Sequence, residues 1–230
     1  MNNIEILDGV LLGDDVLNNF NKVMENNEFS EWLISVLPEV EDCANQKQNN
    51  PWHIYNVLDH ILVSVDKMNK QTENMSFEDR RLLAYTMFLH DIAKPMCHIA
   101  RMKNGKMIDS FYANGGHSAR SAEIAKRVYS DFGFSAEDGK VLERLVCDHD
   151  IFMNLTTNNT TNPYLKQLTN DVVLEEIQRL NEVGNGYDLI YKLVKVGKAD
   201  NGAQNPKMTG SALSLLEQYE EIADNLVSLK

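Results

Sequence analysis

The segment "RRLLAYTMFLHDIAKP", Arg80 to Pro95, sets the strongest limit on what this chain can become. Its apolar residues recur at helical spacing and predict a buried helix. Yet the run ends in two titratable residues, His90 and Asp91, with Lys94 one turn further on. Helical positions three, four and seven apart share a face. His90 therefore lies on a stripe with Leu83 and Met87, and Asp91 on one with Ala84 and Phe88. Both polar side chains point to the side that the helix buries. An unpaired buried carboxylate costs several kcal/mol, so a fold that holds this helix must bring Asp91 a cation or strong donors.

The rest of the chain follows the same helical period, and long alternating strand patterns with hairpin turns are absent. A first helical region is expected over about 14–37, followed by the polar connector "LPEVEDCANQKQNN". Pro51 suits the first turn of the next helix, "WHIYNVLDHILVSVDKM". Ser76 with Asp79 three residues on resembles a capping box and opens the run above. "MKNGKMIDSFYANGG" reads as an irregular excursion and "NLTTNNTTNP" as an exposed polar loop. Further helices are expected near 118–131, 136–150, 171–181, 187–200 and 208–227, the last with "EQYEEIAD" as a solvated face. At 230 residues and 43% hydrophobic composition the chain can fill one core. The expected architecture is a single all-α domain, a compact helical bundle. Residues 1–50 form an N-terminal helical cap and connector, 51–205 the core, and 206–230 a C-terminal helix.

A net charge of -12 argues against duplex nucleic acid as a partner, since phosphate binding needs clustered Lys and Arg. A small anionic substrate is compatible with local positive charge. The N-terminus lacks the basic region and apolar run of a signal peptide or membrane span. Cys43, Cys97 and Cys147 are odd in number and lack metal-ligand spacing, which suits reduced thiols in a cytoplasmic protein. The sequons at Asn154 and Asn158 then carry no meaning.

Three more inward stripes end in polar residues. They are His53, Val57 and His60; Leu142, Leu145, Val146 and His149; and Leu189, Leu193, Val196 and Asp200. A single inward histidine is ordinarily a satisfied core residue, but these stripes contain no Arg or Lys to partner the carboxylates. One metal ion answers all of these positions together, because imidazole and carboxylate are ligands of borderline divalent metals. His117 follows a Gly-Gly turn at a helix start, where a ligand and an exposed loop histidine are equally natural, and where free N–H groups favour phosphate. His98, off any stripe, reads as surface. His53 suits a supporting role. In the second His-Asp pair, His149 is the ligand, and Asp150 is a cap or outer-sphere partner.

Taken in order, His60, His90-Asp91 and Asp200 resemble the H…HD…D signature of the HD-domain superfamily of metal-dependent phosphohydrolases. The stretches "LPEVEDCANQKQNNPWHIYNVLDHIL", "FLHDIAKP", "GGHSARSAEIAKRV", "VCDHDIF" and "GKADNGA" are most similar to the HD domain of bacterial CCA-adding tRNA nucleotidyltransferases. No nucleotidyltransferase head pattern precedes residue 37, so CCA addition is not implied. The resemblance implies a bundle with a metal site in its core and hydrolysis of phosphomonoesters or phosphodiesters. Nucleotides and cyclic nucleotides are the substrates it suggests. It also makes His117 and His149 match the additional histidines of two-metal relatives.

The expected mechanism follows from that set. His60, His90, Asp91 and Asp200 hold one metal, and Asp91 bridges to a second held by His117 and His149. Water deprotonated by the metal attacks phosphorus. Lys94 faces the phosphate, and Arg120 and His53 are further candidates for touching substrate, with a surface position the simpler reading of Arg120. Mn, Fe, Co or Ni suit these ligands best, with Mg and Zn left open. The expected partner is a small phosphorylated molecule, with no membrane and no duplex nucleic acid. The same ligands serve HD-fold di-iron oxygenases, and a non-catalytic nucleotide- or metal-sensing module is a third reading.

Overall fold

Most helices in this protein announce their own starts. Asn2, Asn26, Asn56, Ser76, Ser135, Thr169 and Asn185 each accept a hydrogen bond from a backbone N–H of the following turn, satisfying donors that have no partner inside the helix. The computed structural model describes residues 2–228. Met1, Leu229 and Lys230, which the expected terminal segments include, lie outside the described residues. Among these residues the helices are α1 (Asn3–Leu11), α2 (Val16–Met24), α3 (Asn27–Val36), α4 (Glu39–Asn45), α5 (Val57–Thr72), α6 (Phe77–Leu89), α7 (His117–Val128), α8 (Ala136–Cys147), α9 (Asn170–Leu180), α10 (Gly186–Gly202) and α11 (Gly210–Ser228).

The opening segment forms α6, and α6 is the central helix. Every residue from Leu82 to Leu89 is buried, the environment required by a helix that is apolar on all sides. α5, α8 and α10 pack against it, and one continuous hydrophobic cluster joins them to the N-terminal helices and to α11. α11 buries Leu215, Leu216, Tyr219, Ala223 and Leu226 and leaves Glu217 and Glu221 in solvent. The architecture is thus an all-α bundle. No helix among the described residues is long and apolar enough to cross a membrane. Cys43 and Cys97 are buried and Cys147 is half-buried, none of them bridged.

Five local expectations are corrected. The N-terminal region contains α1 as well as α2 and α3, which are separate helices meeting at the Asn26 cap. The polar connector contains α4, which buries only Val40 and Cys43. Pro51 does not open α5. Asn50 instead accepts from the backbone N–H groups of Trp52 and His53, holding a turn, and α5 begins after the Asn56 cap. The irregular excursion is a β-hairpin of β1 (Ile99–Lys103) and β2 (Lys106–Ser110). Its turn residues, Asn104 and Gly105, both have positive φ, the pairing that a tight two-residue hairpin turn demands. His98 is not a free surface residue, since its Nε2 lies 3.1 Å from Asp109 on β2. A second small pairing joins β3 (Leu155–Thr156) to β4 (Lys166–Gln167).

One charged anchor ties α1 to the central helix. Arg81 donates from Nε to both oxygens of Asp8 at 2.9 Å and from Nη2 to the carbonyl of Phe132, and the Tyr85 hydroxyl also donates to Asp8. The guanidinium lies over the Phe134 ring at 4.3 Å. Arg81→Met keeps the stem but leaves the Asp8 carboxylate with the tyrosine alone. We expect a loss of about 2 kcal/mol in urea unfolding, because the partly buried charge loses its cation. A midpoint shift equivalent to less than about 0.5 kcal/mol would show that solvent already satisfies Asp8.

Candidate metal centre and active site

Five segments deliver six donor residues to one point. His90 caps the C-terminus of α6, and the chain continues through Asp91 to Lys94 in tight turns. His60 comes from the start of α5 and Asp200 from the last turn of α10. His117 opens α7 just after Gly115 and Gly116, both at φ 92°, a conformation that costs glycine little and other residues much. His149 follows the end of α8. Only Asp200 keeps appreciable side-chain exposure, 16%, while His60, His90 and Asp91 have 2% or less.

The two oxygens of Asp91 divide the donors into two groups. Oδ2 lies 3.2 Å from His60 Nε2 and 3.3 Å from His90 Nε2. Asp200 Oδ1 completes that group, 2.9 Å from His60 and 3.7 Å from His90. Oδ1 of Asp91 faces His117 Nε2 at 3.2 Å and His149 Nε2 at 3.7 Å, and those two nitrogens are 3.3 Å apart. The sets His60, His90, Asp91, Asp200 and Asp91, His117, His149 are each close enough to surround one ion.

Three imidazoles are held in the form a metal requires. Nδ1 of His90 lies 2.6 Å from the Met87 carbonyl, Nδ1 of His149 2.8 Å from the Val146 carbonyl, and Nδ1 of His117 3.2 Å from the Phe111 carbonyl. A carbonyl only accepts, so each Nδ1 carries a proton, and each Nε2 is the atom that can turn a lone pair to a metal once it sheds any proton of its own. The Nε2 atoms of His60 and His90 face carboxylate oxygens, and the buried Asp91 Oδ1 faces the Nε2 atoms of His117 and His149. Two ring nitrogens 3.3 Å apart beside a buried carboxylate oxygen are costly in any state except around a cation. This buried His/Asp cluster can therefore hold a metal ion, and it fits an HD-type site.

The charges agree. Burial opposes ionisation of Asp91, but His90 and Lys94 outweigh it and hold the carboxyl well below its usual range. Asp200 is lowered likewise, with hydrogen bonds from His60 and His90 overcoming its burial. Burial also works against charge on His90, yet Asp91 and Asp200 lift its pKa to about 10. Lys94 Nζ reaches Asp91 Oδ2 at 2.6 Å and Gln48 Oε1 at 3.1 Å, and lies over the Phe111 ring 5.3 Å from its centroid.

The other sequence candidates fall outside the donor set. His53 packs edge-on against His60 with centroids 5.0 Å apart, and burial, Lys94 and His60 press its pKa down to about 2. Arg120 is turned to Glu123 on its own helix at 2.7 Å, with 43% of its side chain exposed. Asp150 makes no capping bond. The residue that caps α8 is Asp148, buried and paired to Arg179 at 2.8 Å, which braces the turn carrying His149. Three supports were not visible beforehand: the Asp148–Arg179 pair, Gln48 behind Lys94, and Gln204, which donates to Asp200 at 3.3 Å. Gln48 sits in a connector without periodicity, and Arg179 is a surface-patterned residue far along the chain. Gln204 alone had a local cue, being one helical turn after Asp200.

No family model matches the chain. Over 142 aligned residues it is 31% identical to a bifunctional uridylyltransferase/uridylyl-removing enzyme of Zymomonas mobilis, an alignment covering 56% of this chain and 13% of that protein. The chain thus spans only a small part of this curated relative.

Two outcomes test the geometry. Asp91→Ala removes the carboxylate common to both donor groups and should abolish metal retention by elemental analysis, whereas His117→Ala disturbs one group only. Full metal content in the Asp91 variant would refute the arrangement. Because His90 keeps its proton up to about 10 without metal, and a metal ligand must be neutral, binding at neutral pH displaces that proton and affinity falls as pH is lowered. Metal added to weakly buffered protein should release about one proton or more; no release would contradict the assigned charge.

Proposed function

We propose that the chain is a metal-dependent phosphohydrolase of the HD-domain superfamily, acting on a nucleotide or another small phosphate ester. The observation that carries this reading is the division of the Asp91 carboxylate between two histidine groups, with the Lys94 ammonium 2.6 Å away. The partial similarity to a protein described as uridylyl-removing supports it, since a uridylyl group is attached through phosphate. Within the superfamily, the HD domains of CCA-adding enzymes are the proposed relatives. We place the chain in the cytoplasm as one domain spanning 1–230, with 51–205 as the HD core.

In this reading His60, His90, Asp91 and Asp200 hold one divalent ion, and Asp91, His117 and His149 a second. Mn, Fe, Co or Ni suit the mixed N/O donors. Bound metal supplies Lewis acidity toward phosphoryl oxygen and water. The protein's own contribution is orientation and charge. The backbone carbonyls behind His90, His117 and His149 fix their tautomers. Lys94, steadied by Gln48, offers its remaining N–H donors to a phosphate whose charge redistributes in the transition state. The apolar core behind α6 shields these charges from water and strengthens their interactions.

Purified protein should contain a transition metal, and with Mn, Ni, Co or Mg it should hydrolyse members of a panel of mono-, di- and cyclic nucleotides. Lys94→Ala should keep its metal and lose about 10²- to 10³-fold in kcat, the usual cost of one charge-stabilising donor. Absence of hydrolysis with every metal would refute the reading.

A further inference from the structure

Beside the donor cluster lies a cavity of about 320 Å³, near the lower end of the range for small-molecule sites. His149 and Asp200 form part of its wall, so it opens on both donor groups at once. Phe152, Leu155, Leu165, Leu215 and Leu216 give it an apolar lining. Thr156, Thr157, Asn158, Asn201 and Ser211 supply hydrogen-bonding groups. Asn201 spends its amide N–H on the Gly197 carbonyl, leaving its amide oxygen as an acceptor.

The charge on these walls is informative. The lining contains no Lys or Arg, and its carboxylates are Asp150 and Asp200. Asp200 belongs to the donor group, so beyond it the cavity presents the Asp150 carboxylate and the first turn of α11, worth about half a positive charge. That balance cannot neutralise a further phosphate. It suits an uncharged group with an apolar face and several hydrogen-bonding atoms.

We propose that this cavity is the leaving-group site, and that it selects monophosphate esters of neutral, partly apolar alcohols, the nucleoside class, over nucleoside di- and triphosphates. The proposal rests on the hydrolase reading for its reaction and on the cavity walls for its selectivity. A phosphate held at the donor cluster and Lys94 leaves its ester oxygen directed into the cavity, where the alcohol is received. Additional phosphates would meet Asp150 without a cation.

The test uses Mn-loaded protein with the uridine and adenosine 5′-mono-, di- and triphosphate series and β-glycerol phosphate. The expected result is a kcat/KM at least about a hundredfold higher for monophosphates than for triphosphates, because unneutralised like charge is costly in a partly desolvated site. β-Glycerol phosphate, which leaves the apolar wall unfilled, should show a raised KM. Asn158→Lys adds a cation at the wall and should raise diphosphate kcat/KM about fivefold. Ala212→Phe fills the cavity and should abolish calorimetric binding of uridine and adenosine to metal-free protein without changing metal content. Equal turnover of mono- and triphosphates overturns the selectivity, and nucleoside binding that survives Ala212→Phe overturns the location. If no ester is hydrolysed but nucleoside binding is lost in that variant, the hydrolase reading falls and the cavity assignment stands.

Discussion

The Asp91 carboxylate is the constraint on which the rest of the structure depends. It lies at 1% exposure at the end of a helix whose residues from Leu82 to Leu89 are all buried. A bare carboxylate in that position would neutralise by taking up a proton. Here it is instead held ionised by a cation, Lys94, and by four imidazoles ranged around it. Lys94 alone leaves one oxygen facing two ring nitrogens that are themselves 3.3 Å apart, so the arrangement is complete only with positive charge between them.

Everything that must stay fixed is carried by packed helices. α5, α6 and α10 hold His60, His90 and Asp200 on the buried faces of the central bundle, where a shift of any one helix would disturb the shared core. The more irregular elements act one step behind. The hairpin is docked through Asp109, which accepts from the Asn49 backbone N–H at 2.7 Å, and Asn49 returns a bond to Met107. That contact positions the connector next to Gln48, and Gln48 in turn faces Lys94 and the carbonyls that end at the Asn56 cap of α5. A chain of hydrogen bonds thus runs from an exposed hairpin to the buried carboxylate.

How much of this could be read from the sequence follows from the same division. His60, His90, Asp91, His149 and Asp200 sit on regular helices or directly at their ends, so a period of 3.6 residues placed them inward and implied that they meet. The residues that hold them did not share that period. Gln48 lies in a connector, Asp148 is two positions away from Asp150, the residue expected to cap, and Arg179 reaches it across 31 residues of sequence. The hairpin was hidden for a different reason. β1 is wholly exposed and the one fully buried residue of β2 is polar, Ser110, so no apolar alternation marks them, and only the Asn104-Gly105 pair signals the turn. α4 is short and buries only Val40 and Cys43, too little to register as a period.

The overall charge and the cavity belong to one physical picture. At -12 the molecule as a whole repels anions, which suits capture of divalent cations and opposes capture of polyphosphates. Around the donor cluster the positive charge sits on Lys94 and His90, both beside Asp91, while Tyr112 is pushed up to about 12 by its burial and then by Asp150 and Asp91. In the proposed reading an anionic group is welcome at a single point, where the cluster would hold metal, and not along the adjoining wall. Affinity for the remainder of such a ligand must come from the apolar floor formed by Phe152, Leu215 and Leu216, which is built from the same helices and turn that fix His149 and Asp200. The core that obliges Asp91 to find partners also shapes the surface against which a neutral group can rest.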